Sequence, residues 1–188
     1  MPHKINLTKQ ELRQGCKSTR ASLTAEIRRH ASEAICQHIQ DWEIFRNTSV
    51  ILTYMPMRSE VDLTPLLARH PNKRWAIPRI VPGNQMIFCG YDPSRLIRHA
   101  YGILEPAPDC PIISPAEIQL VLAPGLAFDC YGWRLGYGRG FYDRFLSRHT
   151  SIAAGITYQA LLLESVPHAD YDIPMQFVIT EAGIRDIR

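Results

Sequence analysis

The sequence predicts an α/β protein with a largely parallel central sheet. Short apolar runs rich in β-forming residues recur along the chain, and helical segments or long connections separate them. The 188 residues are 46% hydrophobic and 21% charged, which is a globular composition, and no repeat, low-complexity tract or linker divides them. We therefore expect a single α/β domain over residues 1–188.

Two helices are predicted at the start of the chain. Thr8 followed by Glu11 forms a capping box, in which each side chain satisfies the free backbone N–H of the other residue. The helix that begins there has an apolar stripe at a spacing of three to four residues, formed by Leu12, Cys16, Thr19 and Leu23. Thr24 then caps a second helix, which we expect to run to about Gln40.

The run TSVILTYM at 48–55 is predicted to be a buried strand. Further strands are expected at 74–77, 86–91, 120–123, 152–156 and 177–180, and short helices at 62–69 and 141–148. Five prolines fall between residues 92 and 117, so this segment is predicted to form loop and turns over the surface.

Charge and cysteine usage restrict the function classes. The net charge of +3 is too small to indicate a nucleic-acid binder. The five cysteines are odd in number, widely spaced and without a CxxC pair, which predicts buried thiols in a reducing compartment and no disulfide. No apolar leader and no run of about 18 apolar residues is present. We expect a soluble cytoplasmic monomer that binds neither nucleic acid nor membrane.

The stretch from 134 to 143, RLGYGRGFYD, carries the strongest chemical pattern. Gly136, Gly138 and Gly140 alternate and leave the backbone free to turn its N–H groups into a concave nest just before a predicted helix, which suits an anion. Arg134 and Arg139 add fork-shaped donors for phosphate oxygens.

A flexible turn is the alternative interpretation of this glycine pattern, because short glycine patterns are common. The two arginines and the Phe-Tyr-Asp at the helix start favour a phosphate site, in which Asp143 could hold a magnesium ion. The pattern is neither a Walker A loop nor a dinucleotide fingerprint, since the third glycine comes one residue too early.

Cationic side chains form a second candidate surface on the first helix. Lys9, Arg13, Lys17 and Arg20 fall within an arc of about 80°. An ordinary solvated helix face is the alternative. The face lacks carboxylates four residues away to neutralise it, so it could close over a polyphosphate.

Acidic residues outside the glycine stretch have two interpretations each. Glu60 follows the first strand, where ligands of open parallel sheets bind, but it could equally be a solvated loop residue. Asp170 and Asp172 could be turn residues or metal ligands. The seven histidines lack metal-binding spacing, and no motif for a serine or cysteine nucleophile is present.

The block APGLAFDxxGxRLGYGRGFYDRFL resembles the 5-formyltetrahydrofolate cyclo-ligase family, also called 5,10-methenyltetrahydrofolate synthetases. Other matches follow in the family's order over nearly the whole chain: KxxLR and Arg20, Tyr54-x-Pro-x-x-x-Glu60, Ile77-Pro-Arg, Tyr101-Gly-Ile-x-Glu105-Pro106, and Asp172. Two positions depart from many relatives. Arg139 stands where they have lysine or glycine, and Gln176 stands where they have a second aspartate.

The resemblance implies a three-layer fold similar to the sugar-phosphate isomerase and CoA-transferase group. It also implies an enzyme that uses ATP and Mg²⁺ to close 5-formyltetrahydrofolate to 5,10-methenyltetrahydrofolate. The ATP site would consist of Lys9, Arg13, Arg134, Leu135, Gly136, Tyr137, Gly138, Arg139, Gly140, Phe141 and Tyr142. The folate would contact Met55, Glu60, Tyr137, Gly138, Arg139, Gly140 and Phe141, and Asp143 and Asp172 would hold the metal.

Phosphorylation would solve the chemical problem of this reaction, because an amide oxygen is a poor leaving group. The formyl oxygen would attack the γ-phosphate and give an N5-iminium phosphate, to which N10 adds as phosphate departs. No covalent nucleophile is needed, only alignment and charge neutralisation. Arg139 and Tyr142 are the catalytic candidates. A small-molecule kinase and a non-catalytic ligand reservoir are the alternatives.

Overall fold

The computed structural model describes residues 8–98 and 104–188, which contain five helices and twelve strands. The helices are α1 (Lys9–Ser22), α2 (Ala25–Asp41), α3 (Glu43–Asn47), α4 (Thr64–Arg69) and α5 (Phe141–Leu146). The strands are β1 (Val50–Leu52), β2 (Arg74–Val81), β3 (Gln85–Gly90), β4 (Leu96–Arg98), β5 (Leu104–Pro106), β6 (Leu120–Pro124), β7 (Ala127–Asp129), β8 (Arg134–Leu135), β9 (Ile152–Ile156), β10 (Leu162–Leu163), β11 (Phe177–Thr180) and β12 (Gly183–Asp186).

Seven of these strands form one sheet in the order β12-β11-β9-β6-β1-β2-β3. The five inner strands pair in parallel, and only the edge strands β12 and β3 run antiparallel to their neighbours. The prediction of a largely parallel sheet is therefore confirmed. A three-stranded sheet of β10, β7 and β8 and the antiparallel pair β4 and β5 complete the set.

Both faces of the main sheet are buried. In β1, Ile51 belongs to the apolar core that α1 to α4 cover, whereas Val50 and Leu52 belong to a second core with Phe145 of α5. The inner strands repeat this alternation, which explains why their sequences are apolar throughout. The result is an α/β/α arrangement of three layers. The likeness to the sugar-phosphate isomerase group and the single-domain boundary stay predictions.

The two N-terminal helices begin where their caps predict. Thr8 Oγ1 accepts a hydrogen bond from the Glu11 backbone N–H at 3.3 Å, and the Glu11 carboxylate accepts one from the Thr8 N–H at 2.8 Å. Thr24 caps α2 through its side chain alone, which accepts a hydrogen bond from the Ile27 backbone N–H at 3.2 Å. The predicted apolar stripe of α1 is wrong at Thr19, which is exposed; Cys16 and Arg20 are the buried residues of this helix.

Several strand boundaries differ from the prediction. The expected strand at 48–55 shortens to β1, since the chain beyond Leu52 turns away to form a pocket described below. β2 is longer than expected and continues through Pro78. That proline lies beyond the end of β1, so its missing N–H removes no bond to β1. Sequence patterns also missed α3 and the short strands β7, β8, β10 and β12.

The described part of the proline-rich segment, residues 92–98 and 104–117, has more regular structure than predicted. It contains the antiparallel pair β4 and β5 and two short 3₁₀ turns, because the chain doubles back and the Ala107 N–H donates to the Arg95 carbonyl at 2.9 Å. The Tyr101-Gly-Ile part of the family pattern lies outside the described residues. No helix in the described ranges is both long enough and apolar enough to cross a bilayer.

The absence of disulfides is also a wrong prediction. Cys89 on edge strand β3 is bonded to Cys110, with the two Cα atoms 5.7 Å apart. The Gly90 N–H donates to the Pro111 carbonyl at 2.8 Å, and this contact brings the two segments together. Sequence spacing could not reveal the pair, because 21 residues separate the cysteines. Cys16 and Cys36 are buried free thiols, as expected, and Cys130 is half-buried.

Candidate functional site

A cleft of about 510 Å³ opens between the first turns of α1, the glycine stretch and the segment before β11. We call it the cationic cleft. Its lining includes most of the residues predicted to bind ATP or metal: Lys9, Arg13, Arg134, Leu135, Gly136, Tyr137, Gly138, Arg139, Gly140, Asp143 and Asp172. Residues distant in sequence thus meet in one depression, and their binding roles stay predictions.

Helix α1 is joined to both other walls of the cationic cleft by polar contacts. Arg13 donates from Nε to the carbonyl oxygen of Gly136 at 2.8 Å. Lys9 donates from Nζ to Oδ2 of Asp172 at 2.6 Å. Because Lys9 and Arg13 are one turn apart, they reach opposite walls from the same face of the helix. The first half of the predicted cationic face therefore lines this cleft.

The glycine stretch presents free backbone donors to the cleft. Gly138 and Gly140 have φ angles of 97° and 62°, in the left-handed region that favours glycine. Within the described part of the chain, the backbone N–H groups of residues 136–140 donate to no protein acceptor. A loop whose N–H groups stay unpaired beside a cationic cleft is suited to hold an anion.

Arg134 and Asp143 form a nearly buried ion pair at the base of the cleft. Nη2 of Arg134 lies 2.8 Å from Oδ2 of Asp143, and the two side chains are 8% and 14% exposed. The Arg134 guanidinium also lies over the ring of Tyr142, with its central carbon 5.4 Å from the ring centroid. Nε of Arg134 is buried and lacks a hydrogen-bond partner within the described residues. This unpaired donor is available to a bound ligand.

Charge at the cleft is unbalanced in favour of cations. Its lining holds five cationic side chains and three carboxylates, and two of the carboxylates are already paired with Lys9 and Arg134. Burial alone would raise the pKa of Asp172, but the hydrogen bonds from Lys9 and from the Ala169 N–H, with the Lys9 and Arg134 charges, hold that pKa below its ordinary value.

A second pocket surrounds Glu60, at the carboxyl ends of the neighbouring strands β1, β6 and β9. We call it the Glu60 pocket. Its free volume is only about 10 Å³, which is about one water molecule. Its lining consists of Arg20, Tyr54, Glu60, Val61, Pro124, Gly125, Ile156, Thr157, Tyr158 and Leu161. This is the edge where ligands of open parallel sheets bind.

Glu60 is 8% exposed, so the solvated-loop interpretation is wrong. Its Oε1 accepts a hydrogen bond from the Tyr137 hydroxyl at 2.5 Å and lies 3.8 Å from Nη1 of Arg20. Its Oε2 accepts from the Met57 N–H at 3.0 Å. Burial raises the pKa of Glu60, while the contacts with Tyr137, Met57 and Arg20 oppose that rise. This is a buried carboxylate with a defined set of donors.

Some predicted residues lie away from the cationic cleft. Lys17 is exposed outside it, and Arg20 is buried at the Glu60 pocket, so the cationic face divides after Arg13. Phe141 and Tyr142 follow the glycine loop directly in sequence, but their side chains do not line the cationic cleft. Met55 is packed in the core beside Tyr54. Their binding or catalytic roles stay predictions.

Gln176, which stands where many relatives have aspartate, has a structural role in this chain. Oε1 of Gln176 accepts a hydrogen bond from the Ala153 N–H at 2.6 Å, so this side chain is committed to strand β9. It does not line the cationic cleft. The chain therefore offers Asp143 and Asp172, and not position 176, as carboxylates for a cation at this site.

Sequence reasoning missed other residues of the cleft and its support. Arg144, Ser147, Tyr171 and Ile173 also line it, beside Asp170, for which the sequence left a turn residue and a metal ligand as the two interpretations. Asp129, 1% exposed, accepts hydrogen bonds from the backbone N–H groups of Tyr131, Trp133 and Val166 at 3.0, 2.9 and 2.7 Å. It thereby ties the turn before β8 to the segment that leads to Asp172. Its place just before a tight turn was the only sequence signal.

Two carboxylates are a sparse metal site by themselves. The described residues contain no group of three or more His, Cys, Asp or Glu placed to hold a metal. Mg²⁺ at a nucleotide site usually takes one or two carboxylates and completes its shell with phosphate oxygens and water. Asp143 and Asp172 line the same cleft, so they fit a magnesium ion that arrives with a phosphate ligand.

The fold and the two neighbouring pockets are those of an α/β enzyme, and comparison with known proteins specifies which kind. The model of the 5-formyltetrahydrofolate cyclo-ligase family matches residues 5–181. The chain belongs to this family, whose members are ligases. The 5-formyltetrahydrofolate cyclo-ligase of Escherichia coli is 27% identical over 174 residues, which cover 88% of this chain and 96% of that protein. The corresponding protein of Haemophilus influenzae is 29% identical over 176 residues, with 89% and 94% covered.

Solved structures agree with this assignment. The NMR structure of Aquifex aeolicus 5,10-methenyltetrahydrofolate synthetase has a TM-score of 0.85 and 34% sequence identity, and the match covers 97% of this chain and 94% of that one. A 5,10-methenyltetrahydrofolate synthetase from Mycoplasma pneumoniae has a TM-score of 0.76 at 21% identity, over 93% and 99% of the two chains. The second likeness supports the fold alone.

Replacement of Asp172 by asparagine should remove a pH-dependent part of the stability. The folded-state pKa of Asp172 lies below its ordinary value of 3.8, so its ion pair stabilises the fold above that pH and is lost as the pH falls through the folded-state pKa. We expect Asp172→Asn to lower the free energy of unfolding by about 1 kcal/mol at pH 7, with the difference shrinking as the pH falls below 3.8. Urea unfolding from pH 3 to 8 measures it. The exposed neighbour Asp170 is the control; an equal loss for Asp170→Asn would contradict the assignment.

Replacement of Gly138 by alanine should disturb the free N–H groups of the loop. A Cβ at φ 97° is strained, so we expect a loss of stability of about 1–3 kcal/mol. Gly15 in the interior of α1 is the matched control, because a Cβ there meets nothing within 4 Å. Gly15→Ala should raise stability by about 1 kcal/mol. Denaturation and calorimetry test both variants, and a Gly138→Ala protein as stable as wild type would refute the strain.

Proposed function

We propose that this protein closes 5-formyltetrahydrofolate to 5,10-methenyltetrahydrofolate with hydrolysis of ATP to ADP and phosphate, in the presence of Mg²⁺. The observation that carries the proposal is the position of the Glu60 pocket directly beside the cationic cleft. Tyr137 belongs to both, because it lines the cleft and its hydroxyl reaches Glu60. One loop can therefore hold a phosphate chain on one side and an organic substrate on the other.

The cationic cleft would bind the triphosphate. The loop N–H groups of residues 136–140 and the unpaired Nε of Arg134 would donate to its oxygens. Lys9 and Arg134 now neutralise Asp172 and Asp143, respectively. When ATP binds with Mg²⁺, the Lys9 and Arg134 side chains would exchange their carboxylate partners for phosphate oxygens. Asp172 and Asp143 would then be free to hold the metal. Bound magnesium would supply further neutralisation of the phosphate charge.

The Glu60 pocket would hold the pterin end of the folate, because a carboxylate accepts hydrogen bonds from ring N–H groups. The formyl oxygen would then attack the γ-phosphorus while ADP leaves, forming the N5-iminium phosphate. Attack of N10 on the formyl carbon, loss of the N10 proton to the departing phosphate or to water, and departure of the formyl oxygen with that phosphate complete the methenyl bridge. The protein contributes alignment and charge, as for other phosphoryl transfers.

Arg139 and Tyr142 are the proposed catalytic residues. Arg139 is exposed at the cleft, and within the described residues its guanidinium has no ion-pair partner, so it is free to follow developing phosphate charge. The Tyr142 hydroxyl is buried and finds no hydrogen-bond partner among residues 8–98 and 104–188. Burial raises its pKa, and Arg134 and Glu60 are the charged neighbours that act on it in opposite directions. Tyr142 would therefore act as a neutral donor beside Arg134, whose guanidinium lies over its ring.

Absorbance after mixing tests the function. The protein, 5-formyltetrahydrofolate, ATP and Mg²⁺ together should produce the methenyl chromophore, and omission of any component should abolish it. ADP release without the chromophore would indicate a kinase that uses another acceptor. Binding of both ligands without ADP release would indicate a reservoir. Either result would reject the proposal.

Replacement of Arg139 by alanine should lower kcat by on the order of 100-fold, because a preorganised charge at the transferring phosphoryl group acts mainly in the transition state. Steady-state and single-turnover kinetics measure this effect. Arg148, an exposed arginine after α5 that does not line the cationic cleft, is the control, and Arg148→Ala should behave as wild type. A change in KM alone would remove Arg139 from the transition state.

A further inference from the structure

The Glu60 pocket contains a buried cation to which the sequence pattern gave no separate role. Arg20 is 7% exposed, although it was predicted to lie on the cationic face of α1. It lies seven residues, or about 10 Å of helix, beyond Arg13. Helix α1 thus contributes Lys9 and Arg13 to the cationic cleft and Arg20 to the Glu60 pocket. A cation buried at this depth needs partners that use its donors.

The donors of Arg20 are only partly used. Nη1 donates to the Tyr137 hydroxyl at 3.0 Å, but Nε is buried and has no partner within the described residues. The hydroxyl of Thr157, which lines the same pocket and is 2% exposed, is also unpaired there. Two buried donors beside a carboxylate define a pocket with unmet hydrogen bonds.

The Tyr137 hydroxyl shows which chemistry satisfies this pocket. It donates to Glu60 at 2.5 Å and accepts from Arg20 at 3.0 Å, so one oxygen serves a carboxylate and a guanidinium at once. A lactam edge, with an N–H next to a C=O, provides the same donor and acceptor on two neighbouring atoms. The pterin ring of 5-formyltetrahydrofolate has such an edge at N3 and O4.

We propose that Arg20 is a further substrate-binding residue, which donates to the 4-oxo oxygen of the pterin, with Thr157 as a second donor, while Glu60 accepts from the N3–H and the 2-amino group. In the free protein, the Tyr137 hydroxyl makes the hydrogen bonds to Glu60 and Arg20 that the lactam edge would make in the complex. This inference rests on the proposed function, because it names the groups that recognise the folate of that reaction.

The Tyr137 side chain must leave the Glu60 pocket before the pterin ring can enter it. The pocket now has room for about one water molecule, which excludes a bicyclic ring. Tyr137 can leave, since 44% of it is exposed and it lies between Gly136 and Gly138. Its contacts with the pocket are the two hydroxyl hydrogen bonds and the Arg20 guanidinium, whose central carbon lies 5.9 Å from the ring centroid. Arg20 and Glu60 stay in place on α1 and in the loop after β1.

Calorimetric titration with 5-formyltetrahydrofolate, without ATP, tests the role of Arg20. Arg20→Gln should weaken binding about 30-fold, the effect of losing a charge-assisted hydrogen bond, and should change ATP affinity less than about threefold. Arg69→Gln is the control, because Arg69 pairs with Glu33 on the surface. Unchanged folate affinity, or an equal loss for both ligands, would overturn the assignment.

The 4-amino-4-deoxy analogue of 5-formyltetrahydrofolate tests the contact itself, since it replaces the acceptor O4 by a donor. Its dissociation constant divided by that of the 4-oxo compound should be about tenfold larger for wild type than for Arg20→Gln. An equal ratio would contradict the contact with O4. If Arg20→Gln does not fold, Arg20→Lys replaces it, and retention of the wild-type ratio by a lysine, which lacks the Nε donor, would count against the proposal.

Tyr137→Phe provides a variant on an exposed loop that does not disturb the core. Removal of the competing hydroxyl should tighten binding of 5-formyltetrahydrofolate about two- to tenfold. Weaker binding would show that the hydroxyl is itself a ligand contact and would refute its place-holding role. Failure of wild type to bind the folate at all would instead reject the proposed function. Binding of the folate with no response to Arg20 would reject only this inference.

Discussion

An excess of positive charge around one cleft determines how this protein can work. Lys9, Arg13, Arg134, Arg139 and Arg144 face three carboxylates there, and the backbone N–H groups of the glycine loop are unpaired within the described residues. A folded protein can keep excess positive charge and unpaired N–H groups where water or a bound anion interacts with them. The ion pairs Lys9–Asp172 and Arg134–Asp143 limit the excess in the free protein and supply groups that can be reassigned when an anion binds.

The sheet explains why a second, different pocket lies beside this cleft. Strands β1, β6 and β9 end side by side, and the chain after each contributes to the Glu60 pocket. Helix α1 extends along both sites, and Tyr137 bridges them. A reaction in which one substrate phosphorylates another needs two adjacent binding sites. Alignment of the reacting groups and stabilisation of charge away from water lower the activation barrier of such a transfer. The two adjacent pockets are therefore the feature on which the proposed phosphoryl transfer depends.

Local patterns were predicted well and long-range partnerships were not. The Thr8–Glu11 capping box and the glycine stretch depend on neighbouring residues, so the start of α1 and most of the cleft lining could be predicted. The burial of Arg20, the Cys89–Cys110 bond and the role of Asp129 depend on segments far apart in sequence. Periodicity placed Arg20 on one cationic face with Lys9 and Arg13, open either to solvent or to a polyphosphate. Instead, Glu60 and Tyr137 compensate the Arg20 charge inside the protein.

Heteronuclear NMR with adenosine, AMP, ADP and ATP tests the central claim most directly. If the cationic cleft recognises a phosphate chain, affinity should rise with each added phosphate and fall with salt. The backbone amide signals of residues 136–140 should then shift with ATP and only weakly with adenosine. Equal affinity for adenosine and ATP, or ATP-induced shifts confined to residues outside the cationic cleft, would contradict the account.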